Sequence, residues 1–230
     1  MALRPLSQNT SSPPRLETVY LATPTGSPAA IALLLQPAVI LTGAQATETA
    51  LKQIPAPRIL HIATHGFFLE DVATRAIQTS VNGDGIATHP LLRSGLALAG
   101  FNPRESGSDD GVLTALEAGG LNLQGTQLVV LSACETGVGD VVTGEGVYGL
   151  RRAFTLAGTE SQVTSLWQVD DLATKDLMVD YYQRLLNREG RSEALRQVQL
   201  AWIQSREEWQ HPYYWAAFVF SGQWQPLDPF

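Results

Sequence analysis

The sequence has little cysteine and little charge, and each shortage excludes a class of protein. With one cysteine among 230 residues, no internal disulfide can form, so the fold does not depend on an oxidising compartment. Charged residues make up only 16% of the chain, and 15 Lys and Arg face 22 Asp and Glu, for a net charge of −7. Because a nucleic-acid interface needs clustered positive charge, nucleic acid is not an expected partner.

Long apolar runs are also missing. The longest, residues 28–40, is interrupted by Gln36 and Pro37 and is shorter than the about 20 residues that cross a bilayer. The chain does not open on a positively charged segment followed by an apolar core, which argues against a secretory signal. We therefore expect a cytoplasmic protein without a membrane partner.

Short apolar runs alternate with helical patterns along most of the chain. Runs bounded by Gly, Pro or polar residues are typical of strands buried on both faces: 18–22, 39–42, 58–64, 95–99, 128–133, 162–167 and 216–220. Apolar residues at helical spacing predict helices over 46–53, 145–157, 171–188 and 192–206. In the third of these, one side is expected to pack inward, formed by Leu172, Leu177, Met178, Tyr181 and Leu185. Strands that alternate with helices predict an α/β fold with a mostly parallel sheet covered on both faces.

Two of the predicted strands end at residues that can form a nucleophile and its base. Cys134 follows the run 128–133, and His65 with Gly66 follows the run 58–64. Functional groups of open α/β sheets collect beyond the carboxyl ends of the strands. A histidine there can take the thiol proton and later protonate a leaving amine, and the backbone N–H groups of Gly66 and Cys134 can bind an oxyanion. The alternative is an inert buried thiol, since free cysteine is often buried.

Five motifs in order resemble one protein family. HIATHG at 61–66 and LSACETG at 131–137 resemble the two catalytic motifs of the CHAT domain family. These are caspase-like cysteine peptidases of clan CD, related to separases and often attached to tetratricopeptide-repeat arrays in bacteria. Three further motifs of the family follow: GEGVYGL at 144–150, SLWQVDD at 165–171 and HPYYWAAF at 211–218. The resemblance covers residues 38–224, which leaves 1–37 as an atypical N-terminal segment or linker remnant and 225–230 as a C-terminal tail.

The resemblance implies a caspase-hemoglobinase-like α/β/α sandwich with a mostly parallel central sheet. It implies a cysteine endopeptidase with His65 as general base and Cys134 as nucleophile, acting on a protein or peptide substrate. It implies no cofactor and no metal ion, and it favours regulation by an attached or separate partner such as a tetratricopeptide-repeat array. The alternative is a catalytically silent CHAT domain that acts as a signalling or protein-interaction module.

Three acidic residues are candidates for substrate binding. Asp170 and Asp171 follow the predicted strand at 162–167. Related separases use an acid after a similar Leu-Trp segment to select a basic P1 side chain, the residue before the scissile bond, and aligning that segment with 166–167 favours Asp171. Either aspartate can instead cap the helix that follows, as aspartate often does. Glu135, next to the nucleophile, is another candidate wall of the pocket.

Two other chemistries use some of the same residues. His61 precedes His65 by four residues, the spacing of the two zinc-binding histidines on a metalloprotease helix. However, Ile62 stands where that helix has glutamate, and the surrounding residues predict a strand. A core or supporting position is therefore favoured for His61. The glycines of 144–149 fit a dinucleotide-binding pattern, but that pattern must follow a strand directly, and the preceding run ends at residue 133. A nucleotide-binding domain is the least favoured reading.

Overall fold

A computed structural model describes residues 18–22, 28–68, 90–101, 110–135, 145–205 and 209–229. Parts of two sequence motifs, including Gly137 and Gly144, lie outside these ranges. The described strands are β1 (Thr18–Ala22), β2 (Ala38–Thr42), β3 (Ile59–Phe68), β4 (Ser94–Ala97), β5 (Val112–Thr114), β6 (Leu128–Glu135), β7 (Ser161–Ser165) and β8 (Phe218–Gly222). The described helices are α1 (Pro28–Leu34), α2 (Glu48–Gln53), α3 (Ala115–Gly119), α4 (Glu145–Leu156), α5 (Asp171–Leu186), α6 (Arg191–Ser205) and α7 (Pro212–Trp215).

The described strands form one sheet in the order β2-β1-β3-β6-β7-β8, with β4 paired to β3 and β5 paired to β4. Pairing is parallel from β2 to β7, whereas β8, β4 and β5 join antiparallel. The sheet is therefore mostly parallel, and the predicted α/β class is confirmed. None of the described helices combines the length and the apolarity that crossing a bilayer requires.

Helices cover both faces of this sheet, and alternate residues of each strand serve the two layers. On one side, which we call the site face, α1, α5 and α6 pack against residues such as Ile59 and Val130. On the other side, the back face, α2, α3 and α4 pack against residues such as Leu60 and Val129. The chain is thus a three-layer α/β/α sandwich with two separate buried clusters.

Strand β3 is longer than its apolar run predicts, and its neighbours explain why. β1 ends at Ala22, opposite Ala63, so it covers only the first half of β3. Beyond that point β4 pairs with positions 65–68 of the same edge, while β6 follows β3 on the other edge as far as Gly66. The backbone N–H and C=O groups near the end of β3 therefore have hydrogen-bond partners in β4 and β6. Because of this pairing, the strand continues past His65.

Some elements follow from local signals that the sequence analysis did not use. Helix α3 begins at a capping box, in which the Thr114 hydroxyl accepts a hydrogen bond from the Glu117 N–H and the Glu117 carboxylate accepts one from the Thr114 N–H. Helix α1 lies within the longest apolar run, and β5 has only three residues. Such short elements carry too little periodicity to be recognised from the sequence alone.

The expected packing of Leu172 is wrong. Its side chain is 61% exposed, whereas Leu177 is fully buried. The spacing between them explains the error, because residues five apart do not share a face of a helix. Ala173, four residues before Leu177, is the residue that packs inward at the first turn of α5.

Candidate active site

His65 and Cys134 lie opposite each other on neighbouring parallel strands. In the register of β3 and β6, Cα of His65 pairs with Cα of Cys134, and neighbouring strands lie about 4.8 Å apart. Because register partners of a parallel pair share a face, both positions lie on the site face, as do His61 and Ser132. The fold therefore brings together the two residues predicted as base and nucleophile, in the carboxyl-terminal halves of β3 and β6. Contrary to the prediction, β3 does not end before His65 but continues for three residues beyond it.

A cavity of about 100 Å³ opens beside His65 on the site face. Its walls come from β1, α1, the end of β7, the segment after it, and the first two turns of α5. The imidazole of His65 is exposed and lines this cavity, as does the indole of Trp167. The candidate base therefore faces an open space next to the position of Cys134, where a substrate side chain can enter.

The two aspartates at the start of α5 have different surroundings. Asp170 is the N-cap: its Oδ1 accepts hydrogen bonds from the N–H of Leu172 at 2.9 Å and of Ala173 at 3.0 Å. Asp171 lines the cavity together with His65. The helix cap is thus provided by Asp170, and Asp171 is the one of the two aspartates that lines the cavity.

The charge of Asp171 acts on the buried side of the same cavity. Tyr20 of β1 lines the cavity and is 3% exposed. Burial, and after it the negative charge of Asp171, raises the pKa of the Tyr20 phenol to about 12. The phenol therefore stays protonated at neutral pH and contributes a hydroxyl group to the cavity wall.

A cation lies in the same wall as Asp171. Lys175, one turn further along α5, also lines the cavity, and its Nζ lies 3.3 Å from Oδ1 of Asp176. Its ammonium group opposes the field of Asp171, but its side chain is 31% exposed and paired outside the cavity. Lys175 was not among the residues predicted from the sequence, although its position four residues after Asp171 places it on the same face of α5.

A buried histidine links three elements beneath the cavity. The Nδ1 of His61 lies 2.9 Å from the Tyr182 hydroxyl of α5, and its Nε2 lies 3.3 Å from the Ser132 hydroxyl of β6. The ring of Tyr20 packs against the imidazole with centroids 4.6 Å apart. His61 is 1% exposed, and burial lowers the pKa of its imidazole to about 3. The prediction of a core or supporting position for His61 is confirmed.

The remaining candidates are placed by their backbone. Gly66 lies in β3 between Leu96 of β4 and Glu135 of β6, so its peptide takes part in the sheet. Glu135 is the last residue of β6, one position after Cys134. The oxyanion role of the Gly66 and Cys134 amides and the pocket role of Glu135 stay predictions.

Two other expectations can be compared with the part of the chain that the structure describes. Among those residues, His, Cys, Asp and Glu side chains do not form a group of three that could hold a metal ion. Gly146 and Gly149 lie within helix α4, and Gly149 packs so closely on Ser94 that a Cβ there would lie 2.6 Å from the Ser94 hydroxyl. Close packing against β4 accounts for Gly149.

Comparisons with known proteins agree with this architecture. A family model described as CHAT domain matches residues 17–223. Tetratricopeptide repeat protein 28 of Homo sapiens is 36% identical over 111 residues, and the protein of the same name from Mus musculus is 35% identical over 111 residues. Each match covers 48% of this chain and 4% of the relative, so the chain corresponds to a small part of those proteins. The family match spans nearly the whole chain and includes β1, and the chain is therefore a member of the caspase-like CHAT domain family.

Proposed function

We propose that this chain is a cysteine endopeptidase that cleaves proteins after a basic residue. The observation that carries the proposal is the register of His65 and Cys134 at the ends of adjacent parallel strands, beside a cavity that His65 and Asp171 both line. The sulfur, the imidazole and the acid would then serve as nucleophile, general base and P1 specificity residue.

The chemistry follows the properties of the two groups. A free thiol with a pKa of about 8.5 is mostly protonated at neutral pH, so the His65 imidazole takes its proton as the sulfur attacks the scissile carbonyl carbon. When the tetrahedral intermediate collapses, the C–N bond breaks and His65 gives the proton to the leaving amine. Water, deprotonated by His65, then attacks the thioester carbon, the C–S bond breaks, and the thiol is restored.

Substrate preference is assigned to Asp171. A carboxylate about 4 Å from a guanidinium attracts it by about 4 kcal/mol at an effective dielectric constant of about 20. Lys175 in the same wall reduces this attraction, and solvent access reduces it further. We therefore propose a preference for a basic P1 residue that is moderate, about tenfold to a hundredfold over a neutral side chain of the same shape.

Alkylating peptide probes with arginine or its neutral isostere citrulline at P1 test the chemistry and the preference together. Cys134→Ala should abolish labelling, and His65→Ala should slow it by at least about a hundredfold, the usual contribution of a general base. The matched control is His211→Asn, which changes an exposed histidine at the N-cap of α7 and should label like the unmodified protein. Equal labelling of His65→Ala and the unmodified protein would show that His65 is not the base.

Asp171→Asn should bring the arginine and citrulline rates close together. The control variant Glu189→Gln removes a carboxylate beyond the other end of α5, where it binds Arg184 at 3.0 Å, and should keep the arginine preference. If Asp171→Asn keeps it as well, another residue selects P1.

A second candidate is a catalytically silent domain that transmits binding of a partner. The names of the two relatives refer to tetratricopeptide repeats, and we propose that this chain, in the cytoplasm, works with such a repeat array, attached or separate. Labelling should then be measured with and without the array. If Cys134 reacts with neither probe in either condition, the interaction function is favoured over the peptidase.

A further inference from the structure

The imidazole of His61 joins the three elements that carry the candidate base, nucleophile and P1 acid. His61 itself lies on β3, four residues before His65. Ser132, within reach of Nε2, lies on β6 two residues before Cys134. Tyr182, within reach of Nδ1, lies on α5, the helix that begins at Asp171. One side chain therefore contacts each of the elements on which the proposed site depends.

Both bonds of His61 suit a neutral imidazole. A neutral ring has one N–H donor and one acceptor nitrogen, and a hydroxyl group can serve either of them. Since both partners of His61 are hydroxyls, both ring nitrogens can form a hydrogen bond whichever of them carries the proton. The ring is enclosed by Tyr20 and Tyr182, so losing either bond would leave a buried polar atom without its partner, which is costly.

The three elements differ in how firmly they are joined without His61. β3 and β6 share a continuous ladder from Ile59 to Gly66, which fixes their register through the backbone. Helix α5 has no ladder to the sheet, and it is held by side-chain packing such as that of Leu177 and Met178. The hydrogen bond of 2.9 Å between Tyr182 and His61 is directional, and packing alone is not, so this bond restricts how α5 can slide or turn relative to β3.

We infer that His61 is a positioning residue, which through Tyr182 sets the place of Asp171 relative to His65 and Cys134. The inference rests on the proposed function, because it assigns the P1 preference to the position of α5 as well as to the charge of Asp171. Breaking the bond should loosen the first turn of α5 and weaken P1 selection, while the β3–β6 ladder keeps the base and nucleophile in register.

Two neighbouring tyrosines supply a matched test. Tyr182 and Tyr181 are both fully buried on α5, and each hydroxyl has a hydrogen-bond partner: His61 at 2.9 Å for Tyr182 and the Arg191 carbonyl at 3.2 Å for Tyr181. Tyr182→Phe and Tyr181→Phe each remove one buried hydroxyl and keep the ring. Only the first should affect the site.

The first measurement does not depend on catalysis. Amide hydrogen exchange at Leu172 and Ala173, whose N–H groups bind the Asp170 cap, should speed up in Tyr182→Phe and stay unchanged in Tyr181→Phe. Equal exchange in the two variants would overturn the positioning role, whatever the labelling shows.

The second measurement uses the arginine and citrulline probes. In Tyr182→Phe the ratio of arginine to citrulline labelling should fall roughly threefold to tenfold, the range that one buried hydrogen bond is worth. The loss should lie in the binding of the arginine probe and not in the rate of alkylation once bound. A ratio that falls equally in Tyr181→Phe would also overturn the inference. If the unmodified protein is not labelled at all, the proposed peptidase function fails, and the exchange measurement alone still decides the role of His61.

Discussion

The buried cluster on the site face includes tyrosine and tryptophan among its aliphatic side chains, whereas the described part of the buried cluster on the back face is aliphatic except for one phenylalanine. The site-face cluster includes Tyr20, Tyr181, Tyr182 and Trp202. Among the described residues, the buried cluster of the back face has Phe154 as its one aromatic member. The same strands supply both faces, since Leu60 and Ile62 point away from His61.

This difference between the two faces shows that the polar atoms of buried aromatic side chains lie on the site face. Several buried polar groups of the site-face aromatics have a hydrogen-bond partner: the Tyr182 hydroxyl has His61 at 2.9 Å, and the Trp202 indole N–H has Asp180 at 3.3 Å. Satisfied polar networks specify one arrangement of the surrounding elements, whereas aliphatic packing mainly contributes stability. We therefore expect changes on the back face to alter the free energy of unfolding, and changes on the site face to alter selectivity.

The largest expected effect lies on the back face. Phe154 of α4 is fully buried, and Phe154→Ala should lower the free energy of unfolding by about 3–5 kcal/mol, because it leaves a cavity in a close-packed cluster. Urea denaturation measures this loss. The arginine-to-citrulline labelling ratio, taken where the variant is still folded, should not change. A changed ratio would show that the two faces are coupled through the sheet.

The second expected effect concerns His61 and acid. Burial lowers the pKa of His61 from 6.5 to about 3, so between these values the unfolded chain binds a proton there and the folded chain does not. Stability is therefore lost as the pH falls through this range, by up to about 1.4 kcal/mol per pH unit. The groups that face the ring, Tyr20 and Tyr182, have raised pKa values and stay neutral throughout.

Urea denaturation at pH 7, 6 and 5 checks this dependence by comparison of two variants. His61→Gln should be less stable at pH 7 and should lose less stability on acidification than the unmodified protein. His211→Asn, at an exposed histidine, should keep the full dependence. Parallel curves for His61→Gln and the unmodified protein would mean that His61 accepts its proton in the folded state.

The third expected effect separates the two aspartates. Asp170→Ala removes the N-cap of α5, which should lower the free energy of unfolding by about 1 kcal/mol and reduce P1 selection little. Asp171→Asn should do the reverse. Thermal or urea denaturation together with the labelling ratio distinguishes these results. A large loss of selection in Asp170→Ala would mean that the cap, and not only the charge of Asp171, holds the pocket.

Much of the fold was predictable because most strands of the sheet, though not β5, are short apolar runs between breakers. The runs at 18–22 and 128–133, for example, are strands in the structure. The sequence could single out His65 and Cys134 for the same reason, since each follows such a run, and their role as a dyad stays a prediction. Their register was not, because periodicity identifies strands and does not say which residue pairs with which.

The support of the site could not be read from the sequence. Tyr182 and His61 are 121 residues apart, and nothing local marks one as the partner of the other. Tyr182 and Ser132 look like ordinary residues of a packed helix and a buried strand. Only the assembled fold, with α5 packed on the site face, shows that their hydroxyls meet one imidazole.

The smallest expected effect tests whether Lys175 weakens the pocket. Its side chain lines the same cavity as Asp171, so Lys175→Gln should raise the arginine-to-citrulline ratio by about threefold, corresponding to roughly 0.6 kcal/mol for a partly exposed charge. The matched control is Lys52→Gln on the back face, which removes the cation that bridges Glu48 and Glu117. That variant should lose stability and keep the ratio. A ratio that stays constant in Lys175→Gln would mean that the ammonium group is held by Asp176, outside the path of the substrate, and that the field at the P1 position is set by Asp171 alone.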